Sequence, residues 1–133
     1  MKSKIILFAI FVTIVLISSC SGFKEIENYK GENISMGVGD TASVKMEADT
    51  YSGYDWVVSS NSNSSIAKYD GKDNLSGEKN TDPVTQVIKF KGLKKGKTII
   101  TLNYVKKGDL ITKKTRTVNI TVYLNKIILI LLK

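Results

Sequence analysis

The sequence predicts an all-β chain folded as an immunoglobulin-like antiparallel β-sandwich. Five segments alternate apolar and polar side chains with a period of two, which is typical of strands that bury one face. Turn-forming residues separate these segments, and no segment after the first twenty residues shows a helical period. Several short strands at this spacing are typical of a two-sheet sandwich.

The alternating segments and the turns between them follow one another along most of the chain. The predicted strands are "SVKMEA" (43–48), "YDWVVS" (54–59), "QVIKFK" (86–91), "TIITLNY" (98–104) and "TVNITVYL" (117–124). The predicted turns are "VGD" (38–40), "YDGKDN" (69–74), "KGLKKGK" (91–97) and "KKGD" (106–109).

The chain has a single tryptophan, Trp56, which shares one face of its predicted strand with Tyr54 and Val58. A large aromatic side chain on the apolar face of a strand usually fills the core, so we expect Trp56 to lie between the sheets. Gly53, just before this strand, is predicted to adopt a positive φ in a turn.

Composition excludes several classes of function. The chain has no histidine and one cysteine, so it offers no Ser-His or Cys-His pair, no imidazole metal ligand and no internal disulfide. We therefore expect a protein that is not an enzyme and that has no cofactor and no metal. The formal net charge is +8.

The first residues are typical of an export signal. Lys2 and Lys4 precede an apolar run (5–17) that is shorter than the ~20 residues of a spanning helix, and "ISSC" ends it. This pattern resembles a bacterial lipoprotein signal, which implies removal of residues 1–19 and acylation of Cys20. The alternative is an ordinary signal peptide with an incidental cysteine. The resemblance predicts an exported, extracytoplasmic protein that is lipid-anchored to the cell membrane.

The domain boundaries follow from these patterns. We predict an acylated N-terminus and polar tether at residues 20–32, the sandwich at 33–124, and an apolar C-terminal tail at 125–133. The tail holds too few apolar residues to span a bilayer; it could prolong the last strand, pack on a sheet edge or enter the membrane surface.

One short stretch, "DTYSGYDW" (49–56), resembles the "NPTTGYxW" signature of chagasin-like inhibitors of papain-type cysteine proteases. The likeness continues through "TQVIKFKGLKKGKTIITLNY" (85–104) and "TRTVNITVYL" (115–124), so it covers roughly residues 34–124. The resemblance implies an immunoglobulin-like sandwich with three loops at one end, which enter the protease cleft and block it.

The resemblance assigns three protease-binding loops to this chain. Asp49, Thr50, Tyr51, Ser52 and Gly53 stand where the family has Asn, Pro, Thr, Thr and Gly. Thr81, Asp82, Pro83 and Val84 stand where the second loop has "GxGG". Lys106, Lys107 and Gly108 stand where the third has "RPW". Because proline and tryptophan are missing there, we expect weakened inhibition, and tighter inhibition when they are restored at positions 107 and 108.

The expected function is therefore reversible inhibition of papain-like proteases by a surface-tethered monomer. The alternative is an immunoglobulin-like binding or structural lipoprotein whose inhibitory loops have degenerated. "WVVSSNSNSSIAKYDG" (56–71) and "GLKKGKTIIT" (92–101) also resemble bacterial immunoglobulin-like repeats of the adhesin type, although a single copy disfavours a stalk.

Two further patterns are candidate sites. Asp70, Asp73 and Glu78 lack the alternating spacing of a calcium loop, so we expect no calcium there. The many lysines could form a solvated outer face or attract an anionic lipid or wall polymer, and nucleic acid is not an expected partner of an exported protein.

Overall fold

The computed structural model describes the backbone of residues 23–26 and the complete residues 33–109 and 111–125. These residues form eight strands and no helix. The strands are β1 (Phe23–Ile26), β2 (Asn33–Gly37), β3 (Thr41–Ala48), β4 (Tyr54–Asn61), β5 (Ala67–Leu75), β6 (Val84–Gly92), β7 (Gly96–Lys106) and β8 (Thr112–Tyr123).

The strands form two four-stranded sheets, with the orders β1-β3-β6-β5 and β2-β8-β7-β4. Neighbours pair antiparallel, except that β1 runs parallel to β3 and β2 runs parallel to β8. The predicted immunoglobulin-like sandwich is confirmed. Strands β4 and β5 form the edges of their sheets on one side of the sandwich, opposite β1 and β2.

The core forms where the period-two pattern places apolar side chains on the inner faces of both sheets. Alternate residues of β7 and β8 are buried from Thr98 to Tyr104 and from Val118 to Val122. On β6 the buried series is Gln86, Ile88 and Phe90, so one polar side chain continues an apolar row. Trp56 belongs to this core, with 5% of its surface exposed.

One predicted turn is wrong. Residues 69–74 lie inside β5, which pairs with β6 and is interrupted by a bulge between Tyr69 and Lys72. Gly71 sits in this bulge with a φ of 112°. A glycine with positive φ occurs in bulges as well as in turns, and β5 is mostly exposed, so no alternation marks it as a strand.

Two strands were not predicted because they are short. β2 precedes the first predicted strand, and β1 lies within residues 20–32, which the sequence pattern assigns to the tether. The predictions for the signal segment, Cys20 and residues 126–133 of the tail fall outside the described residues. Among the residues that are described, none forms a helix suited to crossing a membrane.

Candidate functional site

Three loops meet at one end of the sandwich, hereafter the loop end. Ala48, at the end of β3, pairs with Val84 at the start of β6, and Tyr54, at the start of β4, pairs with Lys106 at the end of β7. These pairings place the first loop (49–53), the second loop (76–83) and the third loop (107–111) side by side.

The first loop is a tight turn held by its own hydrogen bonds. The N–H of Gly53 donates to the carbonyl of Thr50 at 3.1 Å, and the N–H of Tyr54 donates to the carbonyl of Asp49 at 3.0 Å. The N–H of Ser52 donates to Oδ1 of Asp49 at 3.0 Å. Gly53 has a φ of 84°, a conformation that favours glycine, so the local sequence selects this turn.

The charge of Asp49 supports the same turn. Hydrogen bonds from the side chain and the backbone of Ser52, with a smaller contribution from the positive charge of Lys113, hold the pKa of the exposed Asp49 carboxyl below its usual value of 3.8. Hydrogen bonding favours the ionised form because a carboxylate accepts stronger bonds than a neutral acid. The loop therefore contains an ionised Asp49 at neutral pH.

Two long-range hydrogen bonds attach the first loop to β7 and to the third loop. The N–H of Asp49 donates to Oη of Tyr104 at 2.8 Å. The N–H of Lys107 donates to the carbonyl of Gly53 at 2.8 Å. These bonds join positions about fifty residues apart in the chain, so the first and third loops form one structural unit.

Hydrogen bonds of Asp109 hold a turn within the third loop. The N–H of Asp109 donates to the carbonyl of Lys106 at 3.0 Å, and Oδ1 of Asp109 accepts a bond from the N–H of Ile111 at 3.1 Å. Gly108 has a φ of 84°. The expectation that proline and tryptophan at 107 and 108 tighten inhibition stays a prediction, and two features weigh against it: proline removes the N–H that bonds Gly53, and tryptophan is strained at the φ of Gly108.

The second loop faces the first across an open cavity of about 330 Å³. Its tip is a turn in which Lys79 and Asp82 exchange two hydrogen bonds: N–H of Asp82 to the carbonyl of Lys79, and N–H of Lys79 to Oδ2 of Asp82, both at 3.0 Å. Val84 is the first residue of β6 and packs partly buried against the core. The cavity is lined from the first loop by Thr50 and Tyr51.

A column of three aromatic rings supports the first and third loops from below. The ring of Tyr104 lies 5.0 Å from that of Trp56 and 5.2 Å from that of Tyr54. The indole Nε1 of Trp56 donates to the carbonyl of Glu47 at 3.0 Å, which ties the two sheets together. One ring pair is stacked and the other tilted, and Trp56 and Tyr104 are buried, so the two loops rest on the core of the sandwich.

A polar cluster that the sequence analysis missed holds β4 beneath the first loop. The buried Gln86 accepts a bond from the N–H of Trp56 at 3.0 Å and donates to Oδ1 of Asp55 at 2.6 Å and of Asn74 at 3.0 Å. Lys72 pairs with Asp55 at 2.5 Å. The available signal was the position of Gln86 on the buried face of a predicted strand, where an amide needs partners.

The loop end carries exposed apolar side chains. Among the described residues, the three large hydrophobic side chains with the greatest exposure are Ile111 at 72%, Tyr51 at 70% and Leu75 at 51%. Tyr51 is at the tip of the first loop, Leu75 is the last residue before the second, and Ile111 is in the third. Of these three residues, sequence analysis named only Tyr51, on the family resemblance. It missed Leu75 and Ile111 because a single apolar residue in a polar segment carries no periodic signal.

The structure thus brings the predicted loop residues to one end, with the first and third loops in direct contact. Asp70, Asp73 and Glu78 do not gather into a metal site: in the described part of the chain no three acidic, cysteine or histidine side chains come close enough to hold an ion. Asp73 instead forms an ion pair with Lys89.

Comparison with known proteins gives a family and several similar folds. The model of the chagasin family of peptidase inhibitors, I42, matches residues 35–122. A cysteine protease inhibitor from Entamoeba histolytica is 14% identical, with a TM-score of 0.62 over 76% of this chain and 95% of that one. Amebosin is 17% identical, with a TM-score of 0.60 over 77% of this chain and 99% of its own.

A third structure, PbICP-C in complex with falcipain-2, is 18% identical, with a TM-score of 0.49 over 77% of this chain and 91% of that one. A search among curated proteins gives no significant match. At these identities the structural likeness concerns the fold, whereas the family match runs from within β2 to within β8 and leaves only β1 outside it among the described strands.

Proposed function

The chain belongs to the chagasin family of peptidase inhibitors, and we propose that it reversibly inhibits papain-like cysteine proteases by placing its loop end in their active-site cleft. This family consists of protease inhibitors and not of enzymes. Inhibition needs no chemistry from the chain, because a loop that fills the cleft excludes substrate.

The observation that carries the proposal is the placement of Tyr51, Leu75 and Ile111, one beside or within each loop at the same end. A few side chains, tyrosine prominent among them, usually supply most of the binding energy of a protein interface, and apolar side chains exposed together at one end of a domain mark an interaction site. Three such anchors on neighbouring loops favour a partner surface that is concave and lined by apolar groups.

Preorganisation supports the same proposal. The first loop is fixed by Asp49 and Gly53 and is bonded to Lys107, so binding has little loop freedom left to remove. A tryptophan anchor of the third loop is absent, and its loss from an interface often costs about 2 kcal/mol or more. We therefore expect dissociation constants nearer about 1 µM than 1 nM for papain-like enzymes.

Replacing the anchors tests this proposal. Tyr51→Ala, Leu75→Ser and Ile111→Ser should each raise the inhibition constant against papain several-fold, and the triple variant should abolish inhibition. Ile99→Ser is the matched control, because Ile99 is 49% exposed on the outer face of β7 away from the loops. If the three single variants and the triple variant all inhibit like the wild type, the loop end is not the protease-binding surface.

We further propose that the inhibitor is attached to the outside of a cell membrane through acylated Cys20. The support is the sequence pattern of an apolar run followed by small residues and a cysteine. Cys20→Ser should release the protein from membranes or block its processing. Mass spectrometry that finds a mature N-terminus other than residue 20, without acyl mass, would contradict the anchor.

The alternative function is an immunoglobulin-like binding or structural lipoprotein that does not inhibit proteases. The observation in its favour is the departure of the loops from the family motifs, with Thr50, Lys107 and Gly108 in place of proline, proline and tryptophan. A fold shared by both classes does not decide between them, so the inhibition assays above do.

A further inference from the structure

One flank of the loop end is strongly basic. Lys106 ends β7, Lys107 follows it in the third loop, and three more cations lie at the start of β8: Lys113, Lys114 and Arg116. We refer to these five residues as the basic flank. All five are exposed, and the flank borders the first loop through the bond between Lys107 and Gly53.

The aromatic column positions three of these cations. The Nζ of Lys113 lies 4.5 Å from the ring centroid of Tyr54, and that of Lys106 lies 5.9 Å from the same ring. The Nζ of Lys114 lies 5.7 Å from the ring centroid of Tyr104. A cation above an aromatic face is attracted by the ring quadrupole, so these contacts favour side-chain positions close to the two loops.

The charge of the flank is only partly offset within the domain. In the stretches 33–109 and 111–125, no carboxylate lies within ion-pair distance of any of the five cations. Two carboxylates of the adjoining loops, Asp49 and Asp109, are opposed by five positive charges. A cluster of like charges that repel one another is unfavourable unless a partner of opposite sign offsets it.

We propose that the basic flank binds an acidic surface beside the cleft of the target protease, so that this chain selects papain-like proteases whose cleft is bordered by aspartate and glutamate. This inference rests on the proposed function. A protease that covers the first and third loops would also cover the flank, because the flank and the third loop both lie where β7 ends and β8 begins. Complementary charge at such a rim mainly accelerates association.

Association rates measured with the full chain in mild detergent test the inference. The probe is a papain-fold protease with an excess of aspartate and glutamate around its cleft, and the test variant is Lys113→Glu with Lys114→Glu. The matched control is Lys94→Glu with Lys95→Glu, which reverses two exposed lysines in the β6–β7 turn at the opposite end of the sandwich.

The wild-type association rate should fall steeply as salt rises from about 20 to 300 mM, because exposed charges are screened over that range. The test variant should associate about tenfold more slowly at low salt, while the control variant associates like the wild type. At high salt all three proteins should give the same inhibition constant, which shows that the loops remain intact.

The inference is overturned if the wild type inhibits but its association rate does not depend on salt and is the same in the test variant. The proposed function would still stand in that case. No inhibition by the wild type at any salt concentration would instead reject the proposed function. A parallel measurement uses phosphatidylcholine vesicles with and without phosphatidylserine. If the test variant loses binding to anionic vesicles but inhibits at the wild-type rate, the flank serves a membrane and the inference is wrong.

Discussion

The phenol oxygen of Tyr104 accepts a hydrogen bond from the backbone N–H of Asp49 at 2.8 Å. This bond joins β7 to the first residue of the first loop, and Tyr104 is also the middle ring of the aromatic column. One side chain thus connects the core to the loop that we propose enters the protease cleft. Its hydroxyl can be removed without removing its ring.

Tyr104→Phe should therefore raise the inhibition constant by more than its loss of folding stability can explain. The substitution keeps the stacked ring and leaves the Asp49 N–H without its partner, which should lower the free energy of unfolding by about 1 kcal/mol. Tyr123→Phe is the control, because Tyr123 is half-exposed at the end of β8 away from the loops. Equal inhibition constants for both variants would show that the bond does not position the first loop.

Comparing Gly53→Ala with Gly39→Ala should distinguish the effect of loop geometry on inhibition from the effect of lower overall stability. The two glycines have φ values of 84° and 86°, and an added Cβ meets no closer contact than 3.9 Å at either position. Each substitution should therefore cost about 1–2 kcal/mol of backbone strain.

Only Gly53 lies in the first loop, whereas Gly39 lies in the β2–β3 turn at the opposite end. We expect a rise of about tenfold or more in the inhibition constant for Gly53→Ala and none for Gly39→Ala, after correction for the folded fraction. Similar inhibition by both variants would mean that the shape of the first loop is unimportant for binding.

Trp56→Ala should lower the free energy of unfolding by about 3–5 kcal/mol, because it removes a large buried ring from the core. Val57→Ala, on the opposite face of the same strand, should change it by less than about 1 kcal/mol. Chemical denaturation measures both values. The wild-type emission of Trp56 should be blue-shifted and move to longer wavelength on unfolding, and a native emission already at long wavelength would place the indole in water.

The pKa of Asp49 gives a pH-dependent prediction. Because the pKa is lower in the folded protein, this group stabilises the fold at pH values above its usual 3.8, and that contribution is lost as the pH falls through the folded pKa. A carbon NMR titration should give a midpoint below 3.8 for the wild type. Ser52→Ala should move the midpoint upward, since the side-chain hydrogen bond of Ser52 is the largest cause of the shift, while the backbone N–H bond that holds the turn is kept. A midpoint that Ser52→Ala leaves unchanged would show that the Ser52 hydroxyl does not lower the pKa of Asp49.

The fold could be predicted from the sequence because most strands bury one face completely, and burial of one face produces a period of two. Strands β3, β6, β7 and β8 show this pattern, and Trp56 marks the apolar face of β4. β5 escaped prediction because both of its faces are largely exposed and its glycine occupies a bulge. Pairing with β6, rather than its own pattern, makes this segment a strand.

The site could be predicted only in part, because hydrogen bonds between loops leave no periodic trace in the sequence. The resemblance located the first loop and the position of the third, but the bond from Lys107 to Gly53 is visible only in the structure. That bond weighs against the expectation that proline at position 107 tightens inhibition. Leu75 and Ile111 were missed because an exposed apolar residue is recognised as an anchor only when its neighbours in space are known.

The central claim is most directly tested by titrating papain, with a fluorogenic peptide substrate, against the chain from Ser21 onward. The account predicts complete, reversible inhibition with an inhibition constant near about 1 µM. The Tyr51, Leu75 and Ile111 triple variant should not inhibit. Full papain activity at about 100 µM of the wild-type chain, a concentration that would saturate even a weak interface, would contradict the account and favour the immunoglobulin-like binding module.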